Sequence, residues 1–183
     1  MPALSEFRRR KLYFIFDRFF DVNHSGTIEK KDFELAVEQI CRIRGWSKGD
    51  TKYVETSKNF LEIWDALRSS ADANKDDQVS RDEWCQLWSD EAASEDWQKA
   101  YMRFMFNLQD TSGDGCIDLD EFTSVCTSFG INTDESRRAF ETISQSGKVK
   151  VDMGYYSVLW KDFFYSDDTK STGTCIFGKT SFD

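Results

Sequence analysis

Residues 110–121 read DTSGDGCIDLDE, and this stretch decides the fold of the chain. Counted from Asp110, it places oxygen-bearing side chains at positions 1, 3, 5, 9 and 12, with Gly115 at position 6 and Ile117 at position 8. Glycine suits position 6 because the backbone of so tight a turn needs a left-handed residue there. Oxygens at alternate positions point into the turn, and together they suit a hard divalent cation such as Ca²⁺.

Two other stretches repeat the pattern, namely residues 21–32 (DVNHSGTIEKKD) and residues 72–83 (DANKDDQVSRDE). In all three cases apolar residues at helical spacing precede the stretch, and an aromatic residue follows it: Phe33, Trp84 or Phe122. This is the EF-hand arrangement of helix, calcium-binding loop and helix. A solvated acidic turn could explain one such stretch, but matching flanks on three of them favour binding loops.

The same register locates a fourth unit, whose loop at residues 144–155 reads SQSGKVKVDMGY. Val151 takes position 8 and Tyr156 takes position 13, and Asn132 with Glu135 predicts the start of the preceding helix. Lysine at position 5 and tyrosine at position 12 leave almost no negative charge to hold a cation. We therefore predict a metal-free loop that serves as the structural partner of the third.

The predicted fold is all-α, with four helix-loop-helix units arranged as two paired EF-hand lobes that pack into a compact globule. Short β ladders should join the paired loops, because an unpaired unit leaves an apolar face and a ladder edge open. Position 8 of each loop supplies the ladder, so that Ile28 should face Val79 and Ile117 should face Val151. The N-terminal lobe is predicted over residues 1–92 and the C-terminal lobe over residues 93–183, with a linker at residues 89–94.

Each functional loop should bind its ion through positions 1, 3, 5, 7, 9 and 12, with position 7 contributing its backbone carbonyl. The predicted metal ligands are Asp21, Asn23, Ser25, Thr27, Glu29 and Asp32 in loop 1; Asp72, Asn74, Asp76, Gln78, Ser80 and Glu83 in loop 2; and Asp110, Ser112, Asp114, Cys116, Asp118 and Glu121 in loop 3.

Two departures from the pattern predict unequal sites. Asp77 stands at position 6 of loop 2 in place of glycine, at a cost of roughly 1 kcal/mol, which should weaken this site without abolishing it. Asp32 ends loop 1 where glutamate is usual, and its shorter side chain makes bidentate binding harder. A six-coordinate shell then suits Mg²⁺ better than the larger shell of Ca²⁺, so we predict a mixed Ca²⁺/Mg²⁺ site in loop 1.

The composition bounds the possible partners. A formal net charge of −9 over 183 residues argues against nucleic acid or an anionic membrane as the main partner. No apolar run reaches the length of a membrane-spanning helix, the first residues contain no hydrophobic signal core, and the 5 cysteines are scattered as reduced thiols would be. No nucleophile–base pair or phosphate-binding glycine loop indicates an enzyme. We expect a cytoplasmic monomer that binds calcium ions.

The chain resembles the invertebrate sarcoplasmic calcium-binding proteins and, within them, the neuronal calexcitins. The resemblance covers essentially the whole chain, including the silent fourth loop and the tail at residues 175–178. It rests on FDRFFDVNHSGTIEKKDFELA (16–36), EIWDALRSSADANKDDQVSRDEW (62–84) and YMRFMFNLQDTSGDGCIDLDEF (101–122). It implies a four-EF-hand cytosolic protein with three working sites and a buffering role, and for calexcitins also signalling to membrane excitability.

Composition favours a calcium buffer over a calcium sensor. Sensors expose methionine-rich grooves, whereas this chain has 4 Met and 16 Phe, a set that suits a fixed core. The tail at residues 165–183 either plugs the C-terminal lobe through Ile176 and Phe177 or is a frayed end. For a sensor with a protein or membrane target, the basic residues 8–11 could contact acidic lipid, or they form a solvated helix face.

A light-emitting photoprotein that binds coelenterazine shares the four-hand architecture but needs histidines inside a cavity. The one histidine of this chain is His24, at position 4 of loop 1, where side chains face solvent. This third role is therefore disfavoured.

Overall fold

The computed structural model describes residues 3–89 and 96–182. Residues 90–94 of the predicted linker therefore lie outside the described residues. The described part of the chain contains eight α-helices and a two-stranded antiparallel sheet, and the predicted all-α class is confirmed. Within the same ranges, no helix has both the length and the apolar character that crossing a membrane requires.

The helices flank the loops in the predicted order. Helix α1 (Glu6–Ile15) continues as a π-helical turn (Phe16–Phe20) into loop 1 and α2 (Lys30–Arg44) follows it; α3 (Thr51–Ala71) and α4 (Arg81–Ser89) flank loop 2; α5 (Asp96–Gln109) and α6 (Leu119–Ser128) flank loop 3; α7 (Thr133–Ile143) and α8 (Met153–Tyr165) flank loop 4. Strands β1 (Cys116–Ile117) and β2 (Val151–Asp152) lie in loops 3 and 4, and a 3₁₀-helix (Thr172–Cys175) lies in the tail. The start of α7 is capped as predicted, since Asn132 Oδ1 accepts from the amide of Glu135 at 3.1 Å.

Both predicted loop pairings are confirmed. Strands β1 and β2 place Ile117 opposite Val151. Ile28 and Val79 form an antiparallel bridge, with N···O distances of 2.9 and 2.8 Å in the two directions. All four side chains are buried. The aliphatic residue at position 8 therefore joins the loops in pairs and anchors each pair in its core.

The chain forms two compact units, one of residues 13–89 and 96–100 and the other of residues 3–12 with 101–182. The predicted division after residue 92 stays a prediction. The grouping of residues 3–12 with the second unit was not anticipated from the sequence.

An aromatic cluster fills the first unit. Trp84 lies 4.8 Å from Phe20 and 5.6 Å from Trp88, and Phe33 lies 5.5 Å from Trp64, measured between ring centroids. The rings are tilted or edge-on, the arrangements that aromatic pairs prefer. Rigid aromatic side chains thus form the fixed core that the composition predicted.

The tail forms part of the core of the second unit. Ile176 and Phe177 have no exposed surface, and the Phe177 ring lies 4.8 Å from that of Phe163. At Gly173 the tail approaches α8 so closely that an added Cβ would lie 2.6 Å from the Leu159 carbonyl oxygen. The tail is therefore packed rather than frayed.

All five cysteines are free, and four of them are buried. Burial raises the pKa of the Cys126 and Cys175 thiols, so that neither is readily ionised. This agrees with the prediction of reduced thiols.

Candidate metal-binding loops

The carboxylate at position 1 organises each of the first three loops. Asp21, Asp72 and Asp110 each accept with one oxygen from the amide at position 4 or 5, at 2.9–3.2 Å, and with the other from the amide at position 6, at 2.9 Å. These bonds bend the loop backbone around the carboxylate. Each loop is therefore folded about the group that is predicted to be its first metal ligand.

The carboxylate at position 12 closes each of these loops. In Asp32, Glu83 and Glu121, one oxygen accepts from the amide at position 3, at 3.1, 3.4 and 2.9 Å respectively. The other oxygen accepts from the amide at position 9, at 2.8, 2.9 and 2.9 Å. Because position 12 lies in the first turn of the following helix, the same carboxylate joins that helix to both halves of the loop.

The other predicted ligands of loop 1 lie against one another. Asn23 Nδ2 donates to Glu29 Oε1 at 3.0 Å, and Ser25 Oγ donates to the carbonyl oxygen of Thr27 at 3.1 Å. The structure thus brings positions 3, 5, 7 and 9 of this loop together.

Loops 2 and 3 gather their predicted ligands in the same way. In loop 2, Asn74 Nδ2 donates to Asp76 Oδ2 at 3.1 Å. In loop 3, Ser112 Oγ lies 3.4 Å from Asp110 Oδ1. The Cys116 amide donates to Asp114 Oδ1 at 2.9 Å.

Within residues 3–89 and 96–182, no three His, Cys, Asp or Glu side chains form a group that could hold a metal by themselves. An EF-hand does not depend on such a group, because hydroxyl, amide and backbone carbonyl oxygens complete its shell. The predicted ligands of loops 1 to 3 are all oxygen atoms, from carboxylates and from these neutral groups. They therefore fit a hard divalent cation.

Asp32 reaches both of its amides although it is shorter than glutamate. It is fully buried, and burial raises its pKa, while the amides of Asn23 and Glu29 oppose the rise. For Glu121, burial also favours a raised pKa, but hydrogen bonds from the amides of Asp118 and Ser112 outweigh it and lower the pKa. Glu121 is therefore held ionised more firmly than Asp32.

The same two positions, 4 and 6, are left-handed in loops 1 to 3, but the residues that occupy them differ. Asp77 has φ 62°, as predicted for position 6, and its carboxylate pairs with Arg68 at 2.6 Å. Position 4 is also left-handed, at His24, Lys75 and Gly113, which sequence reasoning missed. Gly113 could have signalled it, and His24 more weakly, whereas lysine does not favour this conformation.

The fourth loop is closed by different chemistry. Tyr155, at position 12, points back across the loop and donates its hydroxyl to the carbonyl oxygen of Ile143 at 2.7 Å. Ser144 Oγ accepts from the amide of Gly147 at 3.2 Å where the other loops use an aspartate. With Lys148 at position 5 in addition, the residues of this loop do not fit a divalent cation.

The four helix-loop-helix units, paired by position 8 and closed at position 12, define a protein of the EF-hand class. A family model described as "EF hand" matches residues 18–37. The chain is 32% identical over 165 residues to sarcoplasmic calcium-binding proteins II, V, VI and VII of Branchiostoma lanceolatum, covering 86% of this chain and 89% of theirs. It is 33% identical over 174 residues to Calexcitin-1 of Caenorhabditis elegans, covering 92% of this chain and 84% of the relative.

A solved sarcoplasmic calcium-binding protein from amphioxus matches with a TM-score of 0.82 and 30% identity, covering 97% of this chain and 99% of that one. The chain belongs to the family of sarcoplasmic calcium-binding proteins and calexcitins. The resemblance stated from the sequence is thereby confirmed.

Proposed function

We propose that this protein binds Ca²⁺ through loops 1, 2 and 3 and acts as a cytoplasmic calcium buffer. The observation that carries the proposal is the pair of carboxylates that organises each of these loops, at positions 1 and 12, which the fourth loop lacks. When bound, the ion would supply the charge that neutralises these carboxylates. The protein's part is to hold oxygen donors in a loop that is already bent to the required shape.

Loop 1 is proposed as a mixed Ca²⁺/Mg²⁺ site. Its closing Asp32 has both oxygens engaged by amides and carries a raised pKa through burial. A carboxylate with short reach supports a six-coordinate shell, in which the smaller Mg²⁺ competes best.

The packed tail supports a buffer over a sensor. A sensor exposes an apolar groove when it binds calcium. In the second unit the side chains of Ile176 and Phe177 occupy the space among the aromatic rings of α8, with Phe177 5.6 Å from Trp160. A groove there would open only if the tail were displaced.

The basic residues at the start of the chain also support this reading, because their donors bind within the second unit. Arg8 Nε donates to the carbonyl oxygen of Phe164 at 3.1 Å, and Lys11 Nζ donates to that of Ser166 at 2.8 Å. Burial lowers the pKa of Lys11 to about 8. A buried amine engaged in this way is poorly placed to contact acidic lipid.

The light-emitting alternative has no support in the structure of loop 1, where His24 is exposed. We further propose that the protein is a monomer whose main partners are the ions themselves. A calcium-dependent protein or membrane target, as the calexcitin relationship suggests, is the second candidate.

Calorimetric titration of the chelator-stripped protein with Ca²⁺, with and without millimolar Mg²⁺, tests the proposal. We expect three binding events, of which the one at loop 1 is weakened by Mg²⁺. A hydrophobic dye followed in parallel should not bind more strongly when calcium is added. A calcium-dependent rise in dye binding would mean that an apolar groove opens, and would favour the sensor function over the buffer function.

A further inference from the structure

The connection between α2 and α3 carries a local concentration of positive charge. Residues 42–48 read RIRGWSK and contain Arg42, Arg44 and Lys48 but no acidic residue. Removing these three charges from the formal total of −9 leaves −12 on the rest of the chain. Basic charge is therefore segregated at this connection, which we call the basic corner.

Large apolar side chains are exposed at the same place. Ile43 is 46% exposed, and Trp46 is half-buried with the Arg44 guanidinium 5.8 Å from its ring centroid. Val54, in the first turn of α3, is 57% exposed and lines an open depression of about 470 Å³, whose charged lining is Lys48, Lys58, Glu62 and Asp65. Cationic and apolar groups thus share one surface.

The backbone of the basic corner is fixed by hydrogen bonds. Gly45 ends α2 with φ 72°, and the Trp46 amide donates to the carbonyl oxygen of Cys41 at 2.8 Å. The Ser47 amide then donates to Asp50 Oδ2 at 2.7 Å, and the Asp50 amide returns to the Ser47 carbonyl oxygen at 2.8 Å. These bonds fix the backbone that carries the side chains before any partner arrives, which lowers the entropy cost of docking.

We propose that the basic corner docks this protein on an anionic lipid surface. Arginine and lysine contribute attraction to acidic headgroups, while tryptophan and isoleucine enter the boundary between headgroups and acyl chains. An exposed connection between two helices suits a broad surface better than it suits an extended peptide, which needs a groove.

The acidic remainder of the chain does not prevent such docking. Charges farther away than about 8 Å are largely screened at physiological ionic strength. The acids nearest in sequence are Asp50, which accepts from the Ser47 amide, and Glu38, which lies four residues before Arg42 on α2. The acids along α3 are each paired with a cation of the same helix: Glu55 with Lys52 at 3.9 Å, Glu62 with Lys58 at 4.0 Å and Asp65 with Arg68 at 3.7 Å. The proposal does not depend on whether the loops bind calcium.

The test is sedimentation of the full chain with vesicles of phosphatidylcholine alone or with 30% phosphatidylserine, in chelator and in 1 mM calcium. We expect binding to the anionic vesicles that falls as salt rises. The double variant Arg42→Gln/Arg44→Gln should bind about 25-fold more weakly, since each surface cation contributes about fivefold. Ile43→Ser should also weaken binding.

Two matched controls separate a site from general charge. Lys148→Gln/Lys150→Gln removes the same charge from exposed positions of loop 4, and Val158→Ser removes the same kind of side chain from α8, where Val158 is 62% exposed. Neither should change vesicle binding, and circular dichroism should be unchanged for all variants. The proposal is overturned by an absence of sedimentation in both conditions, by equal losses in the controls, or by binding to a polyglutamate peptide without binding to vesicles.

Discussion

Loops 3 and 4 are hydrogen-bonded to each other through β1 and β2, yet they are closed by different groups. In loop 3 the carboxylate of Glu121 accepts from two backbone amides, whereas in loop 4 the hydroxyl of Tyr155 donates to a backbone carbonyl. The first closure concentrates negative charge at the centre of the loop. The second needs no ion, because donor and acceptor satisfy each other.

The difference shows that a helix-loop-helix unit can keep its shape without the carboxylates that metal binding is predicted to require. Position 12 crosses the loop in both units, and position 8 pairs in both. We expect the chemical type of the residue at position 12 to decide which loop holds a cation. The fourth unit provides a fixed strand for the third and a fixed surface for the tail.

The largest effect should follow from Glu121→Gln, which changes the closing charge of loop 3 and little else. We expect the calcium affinity of loop 3 to fall by more than about a hundredfold. Mutating even a residue that only supports a metal ligand lowers metal affinity by about 10–100-fold. Calorimetry should register one binding event fewer. Tyr155→Phe, at the same position of loop 4, should leave the number of events unchanged, and a loss there would contradict the comparison.

The next effect concerns the surface that the fourth unit offers to the tail. Gly173→Ala should lower the free energy of unfolding by about 1–3 kcal/mol, because the new methyl meets the α8 backbone at Leu159. Binding of a hydrophobic dye should rise as the tail detaches. Gly154→Ala, in α8 itself, places its methyl 3.5 Å from Asp152 Oδ1 and should leave the stability unchanged or raise it. Equal destabilisation by both variants would argue against the tail contact.

A smaller effect is expected from Tyr155→Phe. Losing the hydrogen bond to Ile143 should cost about 1 kcal/mol of stability, measured by denaturant unfolding in chelator. An unchanged unfolding midpoint would mean that the fourth loop keeps its shape without this closure.

The smallest effects should come from exchanging the residues at position 6. Gly115→Asp in loop 3 should weaken calcium binding about fivefold, from roughly 1 kcal/mol of left-handed strain. Asp77→Gly in loop 2 should tighten binding by less than that, because it also removes the exposed ion pair with Arg68. Titrating both variants and the parent protein with calcium measures the two changes in affinity. Changes of the same sign would contradict the strain argument.

Local pattern was sufficient for much of this molecule. Ile28, Val79, Ile117 and Val151 could be paired from sequence because position 8 is fixed by its distance from the loop start. The cap at Asn132 could be recognised because its partner lies three residues away. The carboxylates that close loops 1 to 3 follow from the same counting.

Contacts between distant parts of the chain could not be predicted in this way. Arg8 and Lys11 suggested a solvated or lipid-facing surface, because nothing near them in sequence accepts their hydrogen bonds; the acceptors lie more than 150 residues away. The role of Tyr155 was also missed, since a tyrosine at position 12 indicates only that a carboxylate is lacking. Left-handed backbone at Lys75 is imposed by the turn and not by the side chain.

The grouping of residues 3–12 with the second unit has a consequence for biosynthesis. The carbonyl groups of Phe164 and Ser166 that Arg8 and Lys11 contact are made long after the helix that carries those cations. At a translation rate of about 5–20 residues per second, the amino-terminal segment waits roughly 10–30 s for them. The second unit can therefore be completed only after residue 166 has been made, and the first helix remains available to other binders, including chaperones, until then.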